Sequence, residues 1–356
     1  VRNDGTTRQR LVAYGTTKTQ AETKLLELRR RAKKGETPTG SQTVSTWFDY
    51  WLEKVAVNEV RPKTLANYRS QVKTHILPVI GSVRLSKLTP AHIRKVTDKV
   101  KSTRASSTAL TVHRILSSSL AQAESDGKLD RNPAKLAKAP RRKPPELETL
   151  TTTEAKAIVR RARENSPGLE AYLWATFLLT GARRGEIIGL EWDRVSDVLD
   201  LSWQLQRHTV GKLVAPEDYE SRHLVGGLYM TRPKSAAGWR VVPLVHPLSD
   251  ILADWRAKAD PNPYGLVFTR NGEPLDPDWV SKEWPRVLKT TGIAKHVRLH
   301  DLRHTAVDLM YEAGVPETVI QEIVGHSSRA MTRAYKSRSS RPQLVDGMNQ
   351  WAELLA

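Results

Sequence analysis

The chain has 356 residues, enough for two or three domains with cores of their own, and no cysteine, which excludes disulfides and thiolate metal sites and suits a reducing compartment. No apolar run reaches membrane length and no secretory signal pattern is present, so no membrane partner is expected. The net charge of +19 is lopsided: residues 1–147 hold 30 Lys/Arg against 12 Asp/Glu and residues 148–356 hold 27 against 26, so the first half carries the footprint of a polyanion, duplex DNA above all.

Val1 opens in mid-pattern, and residues 1–40 read as part of a small α+β module that upstream residues would complete. Thr6–Tyr14 patterns as a strand broken by Gly15; Thr19 then caps a basic helix over 20–34 that Gly35 ends. GETPTGSQT is a linker by composition. Residues 41–137 read as all-helical. Val44, Trp47, Phe48, Trp51, Leu52 and Val55 mark a first amphipathic helix. Pro62 opens a second, closed by Pro78 and Gly81; LTPAHIRKVTDKV supplies a third; and SSTALTVHRILSSSLAQAESDG a fourth, ended by Gly127. Residues 138–147, with Arg141, Arg142 and Lys143 among prolines, form a basic, semi-extended linker that could lie along a phosphate backbone.

Residues 148–342 read as a mixed, mainly helical α/β domain. A Thr-capped helix opens it, and Leu169–Leu179 is a strongly apolar helix running into TGARRGEIIGLEW. VLDLSWQLQR, GLYMTRPK and WRVVPL pattern as strands, the last two joined by a hairpin turn at SAAG, while the polar stretch from Thr209 to Val225 reads as an insertion without a place. LVFT is a short strand between two further helices. In residues 343–356, Leu344, Met348, Trp351 and Leu355 draw one apolar stripe on a tail helix, which either packs on its own domain or docks on a neighbouring protomer.

The chemistry concentrates between Leu299 and Tyr335. Leu302, Ala306, Leu309 and Met310 continue the face set by Leu299, giving a helix from His300 to Glu312; a second runs from Glu317 to Val324 and stops at Gly325. His326 falls just past that helix end and Tyr335 on a following short helix. Imidazoles, a guanidinium and a phenol would meet with no carboxylate obviously placed to neutralise them, a cluster suited to a phosphodiester. The His300/His304 spacing also invites a zinc reading, but Asp301 stands where that motif needs Glu, and Arg303 would be a cation inside the ligand set, so no metal is expected. No phosphate-cradling GxxxxGK[ST] loop occurs.

Thr180–Glu186 (TGARRGE), Lys234 in a turn, HDLRH (His300–His304), Gly325-His326 and Tyr335 nine residues later, in that order, resemble the tyrosine recombinases of phage integrase type. The resemblance implies a DNA breaking-rejoining fold, with an all-α core-binding domain and an α/β catalytic domain closing around the duplex. It implies a site-specific recombinase that cuts and rejoins DNA through a 3′-phosphotyrosyl intermediate to integrate or excise a mobile element. No cofactor is needed, since the phosphotyrosine conserves the phosphodiester bond. Tyr335 would be the nucleophile. Arg183 and Arg303 would present planar forks to the non-bridging oxygens. His326 would donate to a phosphate oxygen, His300 would serve as base or positioning partner of the phenol, and Lys234 would protonate the departing 5′ oxygen. Glu186 would orient Arg183 and His304 would pack beside His300. Arg184 reads as an ordinary surface or DNA-contacting residue. The implied partners are double-stranded DNA at core sites and arm-type sites, three further copies on two synapsed duplexes, and an accessory DNA-bending protein, in a cytoplasmic, nucleoid-associated setting. A type IB topoisomerase and a non-catalytic DNA-binding protein on the same scaffold stand as alternatives.

Overall fold

The computed structural model describes residues 14–33, 42–142, 147–164, 168–208, 213–233, 238–325 and 341–355. The chain divides into two compact units, one of residues up to 145 with Val214–Glu217, the other of the remaining residues from 146 onward.

In the first unit, Lys18–Lys33 forms a helix, slightly earlier than the Thr19 cap implies; the strand expected over Thr6–Tyr14 and the break at Gly35 lie largely outside the described residues. Thr43 caps Val44–Tyr50, its hydroxyl accepting the Thr46 N–H at 3.2 Å, and the helical path continues through wide turns over Trp51–Ala56 into Val57–Glu59. The second helix starts at Pro62 but does not close at Pro78. Pro62–Gln71 passes into a wide π turn over Val72–Ile76, and Leu77–Ile80 carries on to Gly81. A wide turn ahead of a proline tolerates the missing N–H, so the chain bends rather than stops. Pro90–Thr103 and Ser106–Ser125 complete the bundle. Trp47, Phe48, Trp51, Ile76, Ile80, Ile93 and Leu116 fill its core. Trp47 donates its indole N–H to Ser119 Oγ at 2.9 Å, so the large ring is buried without an orphaned donor. Buried Asn132 caps Pro133–Leu136 and donates to Ser117 O at 2.9 Å, fastening the chain to the bundle up to Ala137. Beyond it, 138–142 has no regular structure, and Arg141 and Arg142 are exposed.

In the second unit Leu169–Thr180 is apolar on every face and buried on nearly every face, so it is the central helix. Thr152–Arg160, Leu248–Lys258, Asp301–Glu312 and Arg341–Leu355 share its core. The tail stripe belongs to that core: Met348, Trp351 and Leu355 are buried against their own unit, so the helix packs at home.

The strands depart from the sequence reading. VLDLSWQLQR is two strands, β1 (Val198–Asp200) and β2 (Gln204–Arg207), split where Asp200 Oδ1 accepts the Ser202 N–H at 2.8 Å. β3 (Ser221–Val225) and β4 (Leu228–Thr231) form an antiparallel pair, and β5 (Val241–Pro243) pairs with β1, not with β4. The three-stranded order is β2-β4-β3. The strands flanking Lys234 therefore lie in different sheets, and the single hairpin expected there does not form. The end of the unplaced 209–225 stretch supplies an edge strand; its side chains are largely exposed, which is why it shows no apolar alternation. LVFT is mostly buried: Leu266 makes an isolated antiparallel bridge to Glu191, the chain bends at Val267 and Phe268, and β6 (Thr269–Arg270) meets β7 (Glu273–Pro274) across Asn271 and Gly272, both at positive φ (54° and 77°).

Candidate active site

The site grows from the end of the central helix. Gly181 takes φ 56° as the left-handed C-cap, and Thr180 Oγ1 accepts the Ala182 N–H at 3.3 Å, so the chain reverses sharply into Arg183, the N-cap of Arg184–Ile188. Here a Cβ would lie 3.0 Å from Ala306 Cβ and 3.3 Å from Val324 Cγ1. Gly181→Ala is therefore expected to lower the unfolding free energy of this unit by about 1–3 kcal/mol, measured by urea denaturation. An unchanged midpoint would show that the turn relaxes freely.

Glu186, 1% exposed, sits three residues after Arg183 and accepts from its backbone N–H (2.7 Å) and from its Nη1 (2.8 Å). The stretch Leu299–Tyr335 offers no carboxylate placed to neutralise the cluster; Glu186, expected beside Arg183, supplies it and has a second partner that the pattern does not reveal. Arg240, 6% exposed, grips it with both Nη atoms (3.0 and 2.7 Å). The available signal was a lone arginine abutting the apolar Val241-Val242 strand, where burial demands a counter-ion.

Three arginines then converge on the C-terminal end of the helix Glu317–Val324, whose last carbonyls have no intrahelical partner and form the negative pole of the helix. Arg240 Nε donates to Ile323 O (2.8 Å), Arg303 Nη2 to Val324 O, and Arg183 Nη2 to Gly325 O (2.9 Å). Arg303, on Asp301–Glu312 and buried, also donates Nη1 to Gly181 O at 2.9 Å, tying the two helix ends together. Gly325 closes its helix at φ 66°, the stop its sequence position implies.

Three guanidiniums face one carboxylate, so the cluster is strongly cationic. Burial works to raise the Glu186 carboxyl, but Arg240 and Arg183 outweigh it and hold it below the usual carboxylate range. Burial, then Arg183 and Arg240, push Arg303 down to about 9, so it remains a cation at neutral pH. His300 is the N-cap of Asp301–Glu312 rather than its first residue. Burial, then His304 and Arg303, hold its imidazole below its ordinary value, so it is neutral near pH 7 and able to accept a proton. The His304 ring stands nearly perpendicular to it at 5.8 Å. Asp301 does not offset either imidazole with a hydrogen bond, being gripped by Arg298 Nε (2.7 Å) and Nη2 (2.9 Å). His304→Gln should raise the His300 pKa, read from the titration of its ring proton signals by NMR; an unmoved value would mean the two rings are electrostatically independent.

Arg184 is turned onto the helix Pro277–Thr290, donating Nη1 to Pro277 O at 2.7 Å and to Ser281 Oγ. Arg184, read from sequence as an ordinary surface or DNA-contacting residue, is half-buried here. Lys143, Lys234, His326 and Tyr335 lie outside the described residues. The chain on either side of 234–237 is well held: Arg232 is sandwiched between Trp203 and Trp239 (4.5 and 4.7 Å to the ring centres), and Trp239 donates to Pro233 O at 3.3 Å. No group of three His, Asp or Glu able to hold a metal occurs among the described residues.

Residues 148–341 match the phage integrase family and residues 43–101 the phage integrase N-terminal SAM-like domain. An integrase of Saccharopolyspora erythraea is 28% identical, covering 87% of this chain and 82% of the relative. One of Streptomyces ambofaciens is 27% identical over 94% of this chain and 86% of the relative. Among solved structures, a Tn1549 transposon integrase in complex with circular intermediate DNA matches with a TM-score of 0.66 at 18% identity, covering 87% of this chain and 99% of the other. A lambda integrase tetramer bound to a Holliday junction gives 0.59 at 18% identity, over 92% of this chain and 91% of the other. At such identities the structural likeness is one of fold.

Proposed function

The chain belongs to the phage integrase family and is a tyrosine-type site-specific recombinase, and from that premise we propose how its residues divide the work. Tyr335 attacks the scissile phosphorus; the bond from phosphorus to the 5′ oxygen breaks, and the 3′ phosphate stays on the phenol oxygen. Lys234 gives the 5′ oxygen its proton. Arg183 and Arg303 neutralise the charge developing on the non-bridging oxygens, with His326 donating a further hydrogen bond and His300 accepting or positioning the phenol proton. The observation that carries this reading is the buried cation cluster: three guanidiniums against one carboxylate, fixed on a helix end that leads directly to His326.

In this reading residues 41–137 bind the core site, 138–147 run along the backbone with Arg141, Arg142 and Lys143 against phosphates, and 148–342 carry out cleavage. Residues 1–40 contact arm-type sites, and 343–356 brace the catalytic domain. The solved relatives include a lambda integrase dimer bound to a core site and a tetramer bound to a Holliday junction, which supports four copies of this chain on two synapsed duplexes. An accessory DNA-bending protein and a nucleoid location complete the proposal. Among the described residues, no helix is long and apolar enough to cross a membrane. Two measurements test it. A nicked attachment-site duplex should trap a covalent protein–DNA adduct; its absence would leave only binding. Two such duplexes should exchange strands; relaxation of supercoils without exchange would mean topoisomerase activity instead.

A further inference from the structure

We propose that Arg240 is a positioning residue for strand cleavage, holding Glu186, and through it Arg183, in register with the end of the helix Glu317–Val324. The inference rests on the reading of Arg183 as a ligand of the scissile phosphate. The sequence pattern does not single out Arg240.

The two arginines share the one carboxylate unequally. Arg240 spends three N–H groups on three acceptors: both oxygens of Glu186 and Ile323 O. Its side chain is 6% exposed, and every contact given for it is to the protein's own acceptors. Arg183 makes one side-chain bond to Glu186 and one to Gly325 O, and its side chain is 36% exposed. A bidentate buried partner takes most of the carboxylate's field, so Glu186 fixes where Arg183 stands without cancelling its charge on the open side. Without Arg240, both Glu186 oxygens would turn to Arg183 and draw its fork inward. The second bond matters separately. Ile323, Val324 and Gly325 are consecutive, and each carbonyl goes to a different arginine. Arg240 thus locks the first of the three carbonyls at this helix end.

The test compares two substrates in single-turnover cleavage of a nicked duplex bearing the protein's attachment site. One has the natural scissile phosphate. The other has a methyl group in place of one non-bridging oxygen, which removes the negative charge that an arginine would meet. Arg240→Lys keeps a cation but cannot make the fork, and should cleave the natural substrate about 10²-fold more slowly, the scale of a small misplacement in a site. On the uncharged substrate it should approach the unaltered protein, as should Arg183→Ala. Should Arg183→Ala regain rate while Arg240→Lys stays equally slow on both, Arg240 does not act through Arg183 and the proposal fails alone. If neither regains rate, the phosphate role of Arg183 fails and takes the proposal with it. Should Arg240→Lys not fold, Arg240→Met combined with Glu186→Gln removes both buried charges and should preserve the fold; it should show the same substrate dependence. Loss of fold in that variant too would make Arg240 a purely structural residue and overturn the proposal.

Discussion

Tyr335→Phe is expected to form no covalent adduct with a nicked attachment-site duplex, and Lys234→Ala to form it about 10²–10⁴-fold more slowly than the unaltered chain. The first loss is expected to be complete because, in the proposed mechanism, the phenol oxygen of Tyr335 is the atom that bonds phosphorus. The second follows from the leaving group. A 5′ alkoxide is too basic to depart unprotonated near neutral pH, so a donor must act as the bond breaks. Arg303 is a poor proton donor here. Although pushed down to about 9, it has Nη1 and Nη2 engaged with Gly181 O and Val324 O, and Arg183 is engaged with Glu186 and Gly325 O. An ammonium gives up a proton more readily than a guanidinium, which is why the step is assigned to Lys234, between the fastened flanks Arg232–Pro233 and Trp239. A substrate with sulfur in place of the bridging 5′ oxygen has a leaving group that departs without a proton. It should restore cleavage to Lys234→Ala and not to Tyr335→Phe. Equal defects of Lys234→Ala on oxygen and sulfur would assign the lysine to phosphate binding instead.

Arg303→Ala is expected to cost about 10²–10³-fold in cleavage, the range for removing one preorganised donor from a developing oxyanion. It should also destabilise the unit, because two buried carbonyls, Gly181 O and Val324 O, lose their donor at about 1–3 kcal/mol each. Relief of repulsion from Arg183 and Arg240 offsets part of that cost. Arg303→Lys separates the effects. It keeps the charge, but one ammonium has no planar fork to hold both helix ends and a phosphate at once. The lysine variant should therefore remain slow even where thermal melting shows it folded. A folded lysine variant cleaving at the normal rate would mean charge alone suffices and the fork geometry is irrelevant.

What local signals carry, the sequence alone determined. The Thr cap expected ahead of the helix that opens the second half is Thr151, Gly181 and Gly325 stand where helices end in the left-handed region, and the uniformly apolar run from Leu169 is the buried central helix. The order of TGARRGE, HDLRH and Gly-His points to the family that the comparisons assign. Glu186 beside Arg183 was legible too, since an acidic N3 residue reaches back to its N-cap within one turn.

Only the tertiary structure decided the rest, because the partners are far apart along the chain. Arg240 meets Glu186 across 54 residues and Ile323 across 83, and Arg183 meets Gly325 across 142. No spacing rule spans such distances. The strands failed in sequence for a related reason. A run such as VLDLSWQLQR shows that its residues favour extension, but its division between two sheets depends on which strands offer unpaired N–H and C=O groups once the helices have packed. The same holds for electrostatics. Composition shows that the second half is nearly neutral overall, yet folding gathers three arginines of that half onto one helix end beside a single buried carboxylate. The cation cluster is a product of packing: burial raises the cost of each charge, and only the fold brings the carbonyls and the carboxylate that hold them.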